Sequence, residues 1–244
     1  MSFPYIIQGD NIVVVIDNAT HTITKSHISY EEIKQAIKDD QWDTVRDLIE
    51  PKKVLINYGA GNIEIQGDTM YWKGLKFHNA LADKIVQMYR EGFSIEPMVQ
   101  FVENLMENPS RRAVTELYGF LEKGNLPITP DGHFLAYKKI RDDYKDCHSR
   151  TIDNSVGQVV EMERNRVDDD KDRTCSYGLH FCSRGYLDHF DGERLVVLKI
   201  NPRDVVSIPS DYGDTKGRCC RYEVVSEIEL EDADSAFHSS VLNF

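Results

Sequence analysis

Apolar positions follow two different rhythms, and the change falls near residues 126–130. Upstream, helical spacing dominates after an opening strand pair. Residues 12–16 (IVVVI) form a β-branched run of strand length, and Asp17-Asn18 leads into the alternating HTIT, which predicts a hairpin. Ser29 with Glu32 has the spacing of a capping box and opens a helix that carries Ile33, Ala36 and Ile37 on one face. Trp42, Val45, Leu48 and Ile49 predict a second short helix, stopped near Pro51 because proline disfavours α geometry in the residue before it. VLIN (54–57), NIEIQ (62–66) and TMYW (69–72) have strand character, the last two joined by a tight turn at Gly67-Asp68. Helical spacing then returns at Leu81, Ile85 and Met88, at Met98, Phe101, Val102 and Leu105, and at Ala113, Leu117, Phe120 and Leu121. Asn108-Pro109 predicts the start of the last helix, and Gly124-Asn125 with Pro127 predicts its end.

After Pro130 the period shortens: HFLAYKKI, QVVEM, GLHF, RLVVLKI, VVSI and RYEVV predict strands, with a short helix at 183–190. The acidic segment 227–234 has the character of a solvated tail. The fold class expected is α+β: an N-terminal α+β region at 1–76, a helical region at 77–127, and a mostly-β domain at 128–244 ending in the acidic tail.

Composition narrows the function classes. The chain has 244 residues and a formal net charge of −12, so its summed field repels nucleic acid phosphates and anionic lipid. No stretch reaches the roughly 18 consecutive apolar residues that span a bilayer, and the N-terminus lacks a secretory pattern. Five cysteines, an odd number, argue for reduced thiols in a cytosol over a disulfide framework.

Candidate chemistry concentrates between Asp131 and Phe190. Cys147, His148, Cys175, His180 and Cys182 are zinc-type ligands, but no pair stands at Cys-x-x-Cys spacing, so no metal is expected and the thiols are expected in packing roles. Cys147 and His148 are adjacent, and on a strand adjacent side chains point to opposite faces, which counts against a thiol–imidazole pair. The acidic run Asp168–Asp170 lacks the glycine and terminal glutamate of an EF-hand loop. Neither Gly-rich phosphate-binding pattern occurs, and no cofactor is expected. Arg111-Arg112 opens a helix at the end where cations are unfavourable, a mild misfit that hints at a phosphate or partner contact, although a plain surface placement is the preferred reading.

Several strings occur together and in order: FVENLMENPS (101–110), LAYKKI (135–140), DCHSRTIDNS (146–155), TCSYGLHFCS (174–183), NPRDVVSIPSDY (201–212) and YEVV (222–225). With them the chain resembles the RIIB family of tailed phages, the rapid-lysis proteins that protect against prophage-induced early lysis, over about Ile12 to Val225. The resemblance implies an early phage protein that acts with a larger RIIA partner so that infection proceeds past a resident prophage or host defence. It carries over no catalytic residues. T-even members have an additional N-terminal stretch resembling a helix-turn-helix; this chain starts past it, and a DNA-binding role resting on that stretch is not expected. The order of a strand with Ala136-Tyr137-Lys138, a GLHFCS strand entering a helix and a following RLVVLKI strand also resembles ADP-ribosyltransferase-like domains. That likeness concerns fold and implies a nucleotide-binding crevice more than catalysis.

The reading is therefore of a binding protein in the host cytoplasm, held at the membrane, if at all, through a partner. The leading expectation is engagement of an RIIA-like phage protein or a host defence component. The first alternative is a sponge for a nucleotide-type immune signal, held by Tyr137, Lys138, His148, Asp153, His180 and Arg203, since aromatics and cations suit base stacking and phosphate pairing. The second is an enzyme acting on NAD or a nucleotide messenger. Homo-oligomerisation is left open.

Overall fold

In a computed structural model the fold is α+β. The structure describes residues 3–25, 27, 29–50, 62–66, 69–76 and 96–229, together with positions 56, 81, 85 and 88. The chain forms two compact units, Met1–Val99 and Gln100–Phe244.

In the first unit, β1 (Tyr5–Gln8), β2 (Asn11–Ile16) and β3 (Ala19–Thr24) make an antiparallel meander. The β2–β3 turn is Asp17-Asn18, both left-handed, the backbone that matches strand twist in two-residue hairpins. Ile12, Val14, Ile16 and Ile23 point to one face and meet helices α1 (Tyr30–Lys38) and α2 (Trp42–Ile49) through Ile33, Ile37, Trp42, Val45 and Ile49. Ser29 is the N-cap of α1, but its side chain makes no capping bond, so the expected box does not close; the Ser29 amide donates instead to His27 Nδ1. A second small sheet, β4 (Ile63–Gln66), β5 (Thr69–Trp72) and β6 (Leu75–Lys76), contains the two strands expected there and a third through the left-handed Lys73-Gly74 turn. The Gly67-Asp68 turn lies outside the described residues, as does segment 54–57 apart from Ile56, which is helical. Of the helix expected around Leu81 and Ile85, these two are helical and buried, and most of the rest lies outside the described residues.

Helix α3 (Glu96–Met106) buries Met98, Phe101, Val102 and Leu105, the stripe expected from spacing. Helix α4 (Arg111–Gly124) starts two residues later than expected: Ser110, not Asn108, is its N-cap, accepting from the Ala113 amide at 3.3 Å. Asn108 is buried and donates to the carbonyls of Pro202 and Val205. The left-handed Asn125 ends α4 as expected.

The second unit is built on a seven-stranded antiparallel sheet. Its strands are β7 (Phe134–Ile140), β8 (Val159–Glu161), β9 (Leu179–Cys182), β10 (Arg194–Ile200), β11 (Val205–Ser207), β12 (Lys216–Cys219) and β13 (Arg221–Ile228). Their spatial order is β11-β12-β9-β7-β10-β13-β8. The central strands are buried on both faces, which accounts for the near-continuous apolar runs FLAYKKI and RLVVLKI. Phe181 lies edge-on to Phe120 of α4 at 5.4 Å and to Phe134 at 5.6 Å. Opposite it in the register stands Gly217, where a Cβ would lie 2.2 Å from the Phe181 ring. The segment expected as an acidic tail begins as strand: Glu227 is within β13, opposite Val196 of β10, and pairs with Arg194 at 2.7 Å.

Candidate functional site

Strands β7 and β9 share one register pair, Tyr137 with Cys182. Beyond it Lys138 takes the place of a ladder partner: its ammonium donates to the His180 backbone carbonyl at 3.0 Å. Lys138 is buried, with the rings of Phe190 and Tyr222 at 5.4 and 5.8 Å from Nζ. Burial lowers its pKa, while Cys219, Asp146, Cys182 and Cys147 act in the opposite sense. The His180 ring carries a buried Nε2 without a hydrogen-bond partner. Burial, reinforced by Lys138, Arg218, Lys216 and His148, holds its pKa at about 3, so the ring is neutral at physiological pH.

The segments around this pair are tied down by buried polar groups. Asp146 is buried and accepts from the Ser149 amide and hydroxyl, each at 2.6 Å, and from the amides of Thr151 and Ile152. Burial pushes its pKa up, but these donors outweigh it and bring the carboxyl to about 2. Asn154, fully buried, accepts from the Tyr222 hydroxyl. Arg218 is also fully buried and donates to the carbonyls of Arg173 and Asp170 and to Ser207 Oγ, pinning the acidic turn to the sheet. Within that turn Asp168 accepts from Ser176 and Arg173. Lys216, beside it on β12, pairs with Asp211 at 2.9 Å and lies 5.0 Å from the rings of both Tyr186 and Tyr212.

The structure thus brings Tyr137, Lys138 and His180 to adjacent strands, and His148 near enough to disfavour charge on His180. Tyr137 is buried in the sheet, whereas His148 is exposed. Asp153 lies in the turn bridged to Lys145, accepting from Ser155, and Arg203 is exposed and paired with Glu107 and Asp204. Lys216, Arg218, Asn154 and Tyr222 escape sequence reading, although Asn154 and Tyr222 lie within the recognised strings DCHSRTIDNS and YEVV. Arg112, one of the two arginines at the start of α4, donates to the Asp169 carbonyl and lies 3.9 Å from Glu116. Cys182, Cys219 and Cys220 are buried, and burial pushes the first two thiols well above their ordinary range; Cys147 is half-buried and Cys175 exposed. Among the described residues, no three His, Cys, Asp or Glu side chains gather as a metal-holding group, and no helix is long and apolar enough to cross a membrane.

The arrangement offers a buried amine with a weakened hold on its proton and a neutral imidazole with a bare nitrogen. A family model described as Bacteriophage T4 protein rIIB matches residues 4–234. The chain belongs to the rIIB family. It is 40% identical over 220 residues to Protein rIIB of Enterobacteria phage T4, covering 89% of this chain and 70% of that protein. No solved structure matches it. The family strings supply this cluster directly, since Lys138, Asp146, Asn154, His180 and Tyr222 all fall inside them.

Proposed function

We propose that this rIIB-family chain counteracts a host or prophage-encoded defence by binding a protein partner, either an RIIA-like phage protein or a defence component. Family membership over nearly the whole chain carries this reading. Lys216 and Arg218, on the strand next to His180, support it, because their charges are taken up by Asp211 and by backbone carbonyls inside the protein. Affinity purification of the tagged full chain from infected cells, quantified against an untagged infection, tests the reading. An RIIA-like phage protein or a single defence component recovered near equimolar amounts is expected; recovery of neither overturns it.

The bare Nε2 of His180 favours one second reading, the sequestration of a nucleotide-type signal at the Lys138–His180 pair. An acceptor or donor buried without a partner costs about 1–3 kcal/mol, a cost that a bound polar ligand removes. Calorimetry with cyclic nucleotides and NAD-derived signals tests it. No heat of binding at high micromolar concentration removes this reading and leaves the first untouched.

A further inference from the structure

We infer that β1 is a self-pairing edge, and that two copies of this chain join there across a two-fold axis into one continuous six-stranded sheet. The inference is independent of the protein partner proposed above.

The hydrogen-bond phase of the hairpin determines which groups are free. Gln8 and Asn11 flank the two-residue Gly9-Asp10 turn and form its closing pair. Bonded pairs alternate along an antiparallel ladder, so Ile6 with Val13 and Pro4 with Val15 are bonded as well, and the Val15 amide does donate to the Pro4 carbonyl at 2.9 Å. The N–H and C=O groups of Tyr5 and Ile7 therefore point away from β2, along the outer edge. Among the described residues no strand pairs with that edge.

Edge strands are normally blunted by charge, bulges or cover. β1, YIIQ, has no charged residue and no bulge. It exposes two large apolar side chains, Tyr5 at 49% and Ile6 at 64%. The other edges differ. β11 is buried, β8 carries Glu161 beside Arg221, β3 presents threonines, β4 contains Glu64, and β6 is two residues long with Lys76 as one of them.

The register selects a second copy as the occupant. A two-fold axis at Ile6 sets Tyr5 of one copy opposite Ile7 of the other, and these are the residues whose backbone groups are free. The same axis sets Ile6 opposite its own equivalent as a close, non-bonded pair. Faces also agree. Tyr5 stacks near Trp42 at 5.8 Å and Ile7 packs on the same core, so their pairing continues the inner face, while the two Ile6 side chains cover each other outside. In a chain of net charge −12, self-association needs a contact free of acidic groups, and this strand is one. The nearest carboxylate at the turn, Asp10, is ion-paired with Lys25 at 3.3 Å.

Light scattering of the full chain over a concentration series tests the inference. The expected mass climbs from that of the 28.1 kDa monomer toward twice that value. Ile6→Lys, a change at an exposed position, sets two ammonium groups against each other and is expected to weaken association by more than about tenfold. Thr22→Lys on β3 is expected to leave association unchanged. Ile6→Cys is expected to yield a disulfide-linked dimer on mild oxidation in excess of any that wild type gives, since non-bonded antiparallel pairs approach to about 4.5 Å between Cα atoms. The inference is overturned by a mass that stays monomeric up to about 500 μM, since even a small edge contact registers there. It is equally overturned if folded Ile6→Lys associates like wild type, or if Ile6→Cys gives no added cross-link.

Discussion

Lys138 donates its ammonium to the backbone carbonyl of His180, 3.0 Å away on the neighbouring strand, where the β7–β9 ladder makes no pair. A side chain thus does what an amide would do in an uninterrupted sheet. Lysine reaches the carbonyl at the cost of burying its charge, and the aromatic faces of Phe190 and Tyr222 soften that cost.

The pH dependence of stability should carry the mark of this burial. Lys138 has a folded-state pKa below the ordinary 10.5, so in the window between the two values the unfolded chain binds more protons. Stability should therefore rise with pH across that window. Lys138→Met, of similar length and with nothing to titrate, should lose this part of the slope. Urea melts of both proteins at stepped alkaline pH measure the difference, and parallel slopes would refute the assignment.

Arg218 holds the acidic turn by backbone carbonyls, not by carboxylates. Arg218→Met keeps the bulk but leaves the Asp170 and Arg173 carbonyls without their donor, which should cost about 2–4 kcal/mol. Arg218→Lys should rescue little, because a single ammonium cannot reproduce the forked geometry. Limited proteolysis should then cut near Arg173 in both variants while sparing wild type.

The strands at the centre of the seven-stranded sheet were legible because two-sided burial leaves near-continuous apolar runs such as FLAYKKI and RLVVLKI. β12 was not. Its letters, KGRC, are polar or small, yet every one is buried, because Lys216 and Arg218 find their partners in the 170–173 turn and at Asp211. Local patterns cannot show a partner that the chain supplies from a separate turn. The same holds between β7 and β9: Tyr137, Lys138 and His180 stood out as chemistry-bearing residues, but that the amine would satisfy a carbonyl depends on where β9 leaves β7. Asn108 was read as a cap from its neighbour Pro109, whereas tertiary acceptors at Pro202 and Val205 claim its side chain.

Gly217 should not tolerate a methyl group. An added Cβ would stand 2.2 Å from the Phe181 ring, and that ring is held by Phe120 and Phe134 and cannot swing away. Gly217→Ala is expected to destabilise by about 1–3 kcal/mol through overpacking. Gly217→Ala combined with Phe181→Leu should recover part of the loss, a coupling that a double-mutant cycle by chemical denaturation would detect.

Asp146 organises the turn that runs on from it to Ile152, and its contribution should vanish in acid. Its folded-state pKa of about 2 lies below the ordinary 3.8, so the stabilisation is present above the ordinary value and is lost as pH falls through the folded one. Asp146→Ala removes the acceptor from Ser149, Thr151 and Ile152 together, leaving the Ser149 and Ile152 amides in a partly buried turn without a partner and the Thr151 amide with Ser149 Oγ alone. A loss of about 2–4 kcal/mol at neutral pH is expected, shrinking as wild type and variant are compared at successively lower pH toward 2. Hydrogen exchange should locate the loss: the amides of Ser149, Thr151 and Ile152 should exchange faster in the variant, while those of β10, which Asp146 does not bond, should change only with global stability. Unchanged exchange at those three amides would mean that the turn stands without its carboxylate.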